Sequence, residues 1–183
     1  MKKILGIVGS PRKNGNTDIL VSRILDGARK NGAGTDIVYL GELNIKECDG
    51  CHACWKTQQC SKKDDMIALY GTISESDVLV FGTPVYWYTP SALMKGFIDR
   101  FVYFNTPRNR LSIQGKSAVV AIPFEENNPE TARPVIEFFK KCFDYLEIKL
   151  TAQIIAPGVT ERGDILGKTD LLHEAYEIGK SLY

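Results

Sequence analysis

Short runs of apolar residues alternate with longer amphipathic segments along the chain. The apolar runs predict β-strands at 3–9, 35–40, 76–84, 116–123 and 147–155. The segments between them repeat apolar residues at helical spacing and predict helices at 17–30, 64–75, 91–104, 129–146 and 165–181. Strands that alternate with helices in this way favour a parallel sheet with helices on both faces.

The predicted strands also indicate where a ligand would bind. The first, third and fourth strands are almost continuously apolar, as expected for strands that are buried on both faces. We predict a flavodoxin-like, doubly wound α/β fold with five parallel strands in the order 2-1-3-4-5. In this fold, ligands bind at the carboxyl ends of the strands, near the switch point between strands one and three.

Length and composition restrict the class of protein. The chain has 183 residues, 44% of them hydrophobic, which suits a single domain over 1–183. Its 23 Lys and Arg residues are balanced by 22 Asp and Glu residues without a basic patch, so we expect no nucleic-acid partner. No apolar run approaches the roughly 18 residues of a membrane helix, and no signal peptide is recognisable, so we expect a cytoplasmic protein without a membrane partner.

The loop after the first strand, "GSPRKNGNTD" at 9–18, has the composition of a phosphate-binding loop. Ser10, Asn16 and Thr17 offer neutral hydrogen-bond donors, and Arg12 offers a cation. Asn16 is a candidate N-cap, which would direct the free N–H groups of the following helix toward the same anion. The spacing matches neither a P-loop nor a dinucleotide-binding glycine motif. The alternative interpretation is an ordinary polar turn that caps a helix.

The loop after the third strand carries three consecutive aromatic residues, Tyr86, Trp87 and Tyr88, between two prolines. Rigid aromatic side chains at a ligand-binding edge suit a flat ring, which they can cover by stacking. A phosphate-binding loop beside such a surface indicates a mononucleotide that carries a planar ring. Alternatively, these aromatic residues pack internally or against a second subunit.

Four of the five cysteines, Cys48, Cys51, Cys54 and Cys60, have the spacing C-x2-C-x2-C-x5-C. In a reducing cytosol, cysteines so close together favour metal ligation or burial over structural disulfides. The spacing favours a [4Fe-4S] cluster over zinc, which more often uses two separated pairs. Without a metal, Cys51 or Cys54 could be redox-active thiols that form a disulfide on oxidation. We expect Cys142, on the apolar side of a late helix, to be a core residue.

Three segments together resemble the NAD(P)H-dependent FMN reductase family, in the branch of iron-sulfur flavoproteins and multimeric flavodoxin quinone reductases. They are "GSPRKNGNT", the cysteine-rich segment ending in "KDDM", and "FGTPVYWYTPSALMKGFIDRF". The resemblance implies that the first loop binds the FMN phosphate and that the aromatic loop borders the isoalloxazine. The implied contact residues are Ser10, Arg12, Asn16 and Thr17 in the first loop, and Pro84, Val85, Tyr86 and Trp87 in the aromatic loop.

The chain departs from this family in the loop after the fourth strand. Relatives often have a glycine-rich loop there, whereas "AIPFEENNPET" contains no glycine between Ala121 and Thr131. Phe124 and Glu125 become candidates to face the flavin. An acidic residue near the pyrimidine end of the ring would oppose the anionic hydroquinone and lower the flavin potential.

The function implied by the resemblance is that of an FMN-dependent oxidoreductase. Electrons would pass from NAD(P)H or a reduced carrier through FMN to a quinone, a flavin or another small acceptor, with no side chain needed as a catalytic acid or base. The three aromatic residues would shape the acceptor pocket within a homodimer or homotetramer. The alternative is an iron-sulfur flavoprotein that transfers electrons through FMN and a [4Fe-4S] cluster without turnover of its own. A flavin-free regulatory protein with zinc on its cysteines is a third interpretation.

Overall fold

Five parallel strands form the central sheet of the computed structural model, which describes all 183 residues. The chain has seven strands in all, which in chain order are β1 (Lys3–Val8), β2 (Gly34–Tyr39), β3 (Val78–Gly82), β4 (Val85–Tyr86), β5 (Thr89–Pro90), β6 (Ser117–Pro123) and β7 (Lys149–Ala156). The sheet has the order β2-β1-β3-β6-β7 with parallel pairing throughout, while β4 and β5 form a separate antiparallel hairpin. The predicted flavodoxin-like order is therefore confirmed.

The α-helices fall where the amphipathic segments predicted them, with two short additions. They are α1 (Asn16–Lys30), α2 (Ala53–Thr57), α3 (Met66–Glu75), α4 (Ala92–Asp99), α5 (Pro107–Arg110), α6 (Arg133–Leu146) and α7 (Thr169–Ser181). The predicted helix 91–104 is divided, because α4 ends at Asp99 and Arg100–Asn105 forms a 3₁₀ helix. The short helices α2 and α5 were not predicted. None of the helices combines the length and apolarity that crossing a membrane requires.

The two faces of the sheet bury separate hydrophobic cores because side chains alternate along each strand. In β1, Leu5 and Ile7 point into the core beneath α3, α4 and α6, while Ile4 and Val8 point into the core beneath α1 and α7. The first core is rich in phenylalanine, and Phe81 packs at its centre between the rings of α6. The helices thus pack on the two faces of the sheet, and loops follow the carboxyl ends of its strands.

Helices α1 and α7 cross at two glycines. A methyl group added at Gly27 would overlap the carbonyl oxygen of Tyr176, and one added at Gly179 would overlap that of Ile24. Backbone therefore packs directly on backbone at this crossing. The contact fixes the position of α1, whose first residue lies at the edge of the sheet where ligands bind in this fold.

A buried arginine forms hydrogen bonds with both ends of the segment that carries the four clustered cysteines. The guanidinium of Arg100 pairs with Asp64 through N–O distances of 2.6 and 3.2 Å, and the side chains are 1% and 0% exposed. It also donates to the carbonyl of Lys46 at 2.7 Å and to the Sγ of Cys60 at 3.2 Å. One side chain therefore binds both ends of residues 46–64.

The environment of Asp64 favours its ionised form. Burial acts to raise the pKa of the Asp64 carboxyl, but the hydrogen bonds from Arg100 and from the backbone N–H of Lys46 outweigh burial and hold the pKa below its ordinary value. Because the pKa is lowered in the folded state, the stabilisation is present above the ordinary Asp pKa and is lost as the pH falls through the folded value.

We expect Gly27→Ala to lower the free energy of unfolding by about 1–3 kcal/mol, as overpacking typically does, because α1 and α7 must move apart. The matched control is Gly71→Ala in α3, where a methyl group would contact nothing within 4 Å. There the better helix propensity of alanine should stabilise the fold by up to about 1 kcal/mol. Urea denaturation measures both, and an unchanged Gly27→Ala protein would contradict the tight crossing.

We expect Arg100→Met to lower the free energy of unfolding by about 3–5 kcal/mol, because it leaves the Asp64 carboxylate buried without its partner. The double variant Arg100→Met/Asp64→Asn removes both charges and should recover part of this loss. Urea unfolding at neutral pH compares the two proteins. Equal destabilisation in both would show that the arginine acts only through packing.

Candidate functional site

The loops that follow β1, β3, β6 and β7 meet at one edge of the sheet and line a cleft of about 200 Å³. Seven of the residues predicted to bind a cofactor lie on it, namely Ser10, Arg12, Asn16, Thr17, Pro84, Val85 and Tyr86. They come from two loops separated by more than sixty positions in the sequence. Parallel pairing of β1 with β3 brings these loops together.

Ser91 fixes the aromatic loop against the first loop. Its backbone N–H donates to Oγ1 of Thr83 at 3.0 Å, and its hydroxyl donates to the carbonyl of Gly9. The same hydroxyl accepts from the backbone N–H of Met94 at 3.2 Å and so caps α4. Ser91 is 1% exposed, so these hydrogen bonds are protected from water.

The start of α1 has free hydrogen-bond donors in the cleft. Gly15 occupies the N-cap position, and no side chain caps the helix. The first N–H groups of a helix have no partner within it, so an anion can bind there. Thr17 lies in this first turn, is 3% exposed, and its hydroxyl makes no hydrogen bond within the protein. This arrangement fits a phosphate group.

Two side chains of the predicted phosphate set have other partners. Asn16 is the first residue of α1, so the prediction that it is the N-cap is wrong. Its side chain bonds instead to the loop after β7, where it donates to the carbonyl of Glu161 at 2.8 Å. Arg12 donates through Nη1 to the carbonyl of Thr160 at 3.0 Å. Its other guanidinium N–H groups remain available to an anion.

The three aromatic residues separate into two environments. Tyr86 lines the cleft and is 43% exposed, whereas Trp87 lies outside the cleft and is 94% exposed. Trp87 and Tyr88 form the tip of the β4–β5 hairpin with φ angles of +50° and +62°. Residues other than glycine and asparagine rarely adopt this left-handed backbone conformation, so the turn holds backbone strain beside the cleft.

The loops after β6 and β7 form the remaining walls of the cleft. Phe124 and Glu125, in the loop after β6, were candidates to face the flavin, and both line the cleft together with Glu126. The loop after β7 contributes Val159, Thr160 and Arg162, none of which was predicted. The signal was the position of "GVTERGD" directly after the fifth predicted strand, since that strand ends at the same edge.

A larger depression of about 610 Å³ lies elsewhere, on the outer side of α1 and α7. Its lining includes Asp18, Arg23, Asp26 and His173. The carboxylate of Asp18 is already satisfied by the N–H of Asn14 and by two hydroxyl groups. We assign the functional site to the smaller cleft, because it lies at the strand ends and contains the unused donors.

The four predicted metal ligands, Cys48, Cys51, Cys54 and Cys60, line one small cavity of about 30 Å³. Four cysteine thiols are the donor set that a [4Fe-4S] cluster takes. No three side chains of His, Cys, Asp or Glu converge as metal ligands.

The thiols of this cavity are all free and differ in environment. Burial raises the pKa of the Cys54 thiol, whereas Cys51 is exposed with its Sγ 3.3 Å from the hydroxyl of Ser61. Cys142 lies apart on α6, where it packs partly buried against the phenylalanine-rich core.

Comparison with known proteins places these features in a family. Residues 2–124 match the family described as NADPH-dependent FMN reductase. An iron-sulfur flavoprotein of Archaeoglobus fulgidus is 41% identical over 165 residues, which are 90% of this chain and 81% of that protein. The putative NAD(P)H-dependent FMN-containing oxidoreductase YwqN of Bacillus subtilis is 26% identical over 97% of both chains. The chain spans about half the length of several other iron-sulfur flavoproteins that it matches.

A solved structure supports the same fold. The NAD(P)H:quinone oxidoreductase from Methanothermobacter marburgensis superimposes with a TM-score of 0.78 over 100% of this chain and 99% of that one, at 16% identity. The family match and the 41% identity together show that this chain belongs to the NADPH-dependent FMN reductase family, as its loop motifs predicted.

Proposed function

We propose that this protein is an FMN-dependent oxidoreductase that passes electrons from NAD(P)H or a reduced carrier to a quinone, a free flavin or another small acceptor. The observation that carries the proposal is the cleft at the strand ends, where the uncapped start of α1 lies opposite Pro84, Val85 and Tyr86. Family membership supports FMN as the occupant. When bound, FMN would supply the redox chemistry itself.

The first loop would hold the phosphate of FMN. The free N–H groups at the start of α1 and the unused hydroxyl of Thr17 would donate to its oxygens, and Arg12 would balance its charge. The hydroxyl of Ser10, which accepts from the backbone N–H of Arg12 at 3.2 Å, can donate its own proton to the same anion.

The other walls would bind and shield the ring. Pro84, Val85 and Phe124 provide apolar surface that excludes water, and Phe124 is only 3% exposed. The carboxylate of Glu125 adds negative charge to the cleft and would disfavour a reduced, anionic ring. The proposed mechanism assigns no catalytic acid or base to the chain.

The exposed tip of the hairpin would act outside the cleft. We propose that Trp87 and Tyr88 shape the acceptor pocket together with a second subunit, in a homodimer or homotetramer. The support is that both side chains are exposed, at 94% and 57%, directly beside Tyr86 of the cleft. Exposed aromatic residues held by a strained turn are typical of interaction sites.

The proposed function is tested on protein purified without air. We expect it to bind FMN and to oxidise NADH or NADPH continuously when a quinone is supplied as acceptor. Free FMN at the same concentration is the control for catalysis by the flavin alone. A protein that takes up no FMN would contradict the proposal, and one that binds FMN without steady turnover would be a carrier instead of an enzyme.

We expect Thr17→Val to raise the dissociation constant of FMN by about tenfold to a hundredfold, because a hydrogen bond to a charged group contributes about 1.5–3 kcal/mol. Valine keeps the methyl group that packs toward Gly82. The matched control is Thr72→Val on α3, where the hydroxyl only donates to the carbonyl of Ala68. Titration of FMN fluorescence measures both, and unchanged affinity in Thr17→Val would remove Thr17 from the phosphate site.

A second candidate function is electron transfer through FMN and a [4Fe-4S] cluster bound by Cys48, Cys51, Cys54 and Cys60. Two observations favour it: the four cysteines surround one cavity, and relatives with up to 41% identity are named iron-sulfur flavoproteins. The thiols would have to move closer together to bind the cluster, because no three of them converge in this structure. Analysis of iron and sulfide in anaerobically purified protein decides it, with four irons per chain expected and none as the contrary result.

A further inference from the structure

We infer that Asn16 is a positioning residue, whose side chain holds the loop after β7 as a wall of the cleft instead of binding the FMN phosphate. The inference rests on the proposed function, because it concerns the cleft in which FMN would lie. It assigns a role to residues 157–167, which supply Val159, Thr160 and Arg162 to the cleft.

Both the oxygen and the nitrogen of the Asn16 side-chain amide form hydrogen bonds with this loop. Oδ1 accepts from the backbone N–H of Gly163 at 3.0 Å and from that of Ile165 at 3.2 Å. Nδ2 donates to the carbonyl of Glu161 at 2.8 Å. Both lone pairs of the amide oxygen and one of its two N–H donors are thereby used.

The loop needs this support because of its own backbone. Gly163 has a φ angle of +91°, and no regular secondary structure covers residues 157–163. Asp164 provides the second contact, since its Oδ2 accepts from the N–H groups of Thr160 at 2.9 Å and Glu161 at 2.7 Å. Ile165 then anchors the end of the loop in the core, where it is fully buried.

Asn16 therefore joins two parts of the cleft. It is the first residue of α1, whose backbone N–H groups face the proposed phosphate site, and its side chain sets the distance to the opposite loop. Arg12 reinforces this link through its hydrogen bond to the carbonyl of Thr160. A wall that is already fixed before the ligand arrives lowers the ordering cost of binding.

Asp164 allows this role to be separated from direct phosphate binding. It supports the same loop, yet it does not line the cleft and is exposed. If both residues act by holding the loop, Asn16→Ala and Asp164→Ala should each raise the dissociation constant of FMN by about tenfold. The double variant should then lie within about twofold to threefold of the single variants, whereas independent effects would give about a hundredfold.

Hydrogen exchange in the protein without FMN provides a second measurement. Asn16→Ala should speed exchange at the amides of Gly163 and Ile165, and Asp164→Ala should do so at Thr160 and Glu161. Asn16→Asp keeps the acceptor oxygen and should restore slow exchange at Gly163 and Ile165. The matched control is Asn31→Ala at the other end of α1, where the amide donates to the carbonyl of Lys180; it should leave FMN affinity unchanged.

Two outcomes would overturn the inference. The first is weaker FMN binding in Asn16→Ala with full affinity in Asp164→Ala, which would mean that Asn16 contacts the phosphate itself. The second is unchanged exchange at Gly163 and Ile165 in Asn16→Ala. Failure of the proposed function is distinct from both, because wild-type protein would then bind no FMN while its exchange pattern still reported the loop contact.

Discussion

Parallel pairing of the strands is the constraint on which the rest of this structure depends. It requires β1, β3, β6 and β7 to end at one edge, so four loops that are distant in sequence meet there. The pairing even continues past the strands, since the N–H of Gly9 donates to Gly82 at 2.8 Å and that of Phe124 donates to Ala156 at 3.0 Å. The cleft is thus a product of strand order, and its chemistry is added by loop residues.

Polar side chains at this edge have two different tasks. Some hold the loops together, as Ser91 does between the first and the aromatic loop and Asn16 does for the loop after β7. Others, such as Thr17, keep a donor without a partner and turn it to the cleft. When the residues that hold the loops keep these free donors in place, a ligand binds more tightly, because the cost of ordering the site has already been met during folding.

The sequence predicted the sheet well because burial leaves a direct periodic mark on each strand. It could not predict the hairpin, since two-residue strands carry no periodicity and Trp87 and Tyr88 are not the residues that such a turn normally requires. The sequence pattern predicted Asn16 as the N-cap of α1, because asparagine is common at that position. The hydrogen-bond partners of its side chain are instead about 147 positions away. Long-range hydrogen bonds of this kind leave no local pattern.

The glycine crossing of α1 and α7 also has a consequence for how the chain acquires its structure. Contacts between these helices join residues 149 positions apart, such as Arg23 and Leu172. During synthesis, the side of α1 that carries Gly27 therefore stays uncovered until α7 has emerged. Contacts of such long sequence separation also slow folding.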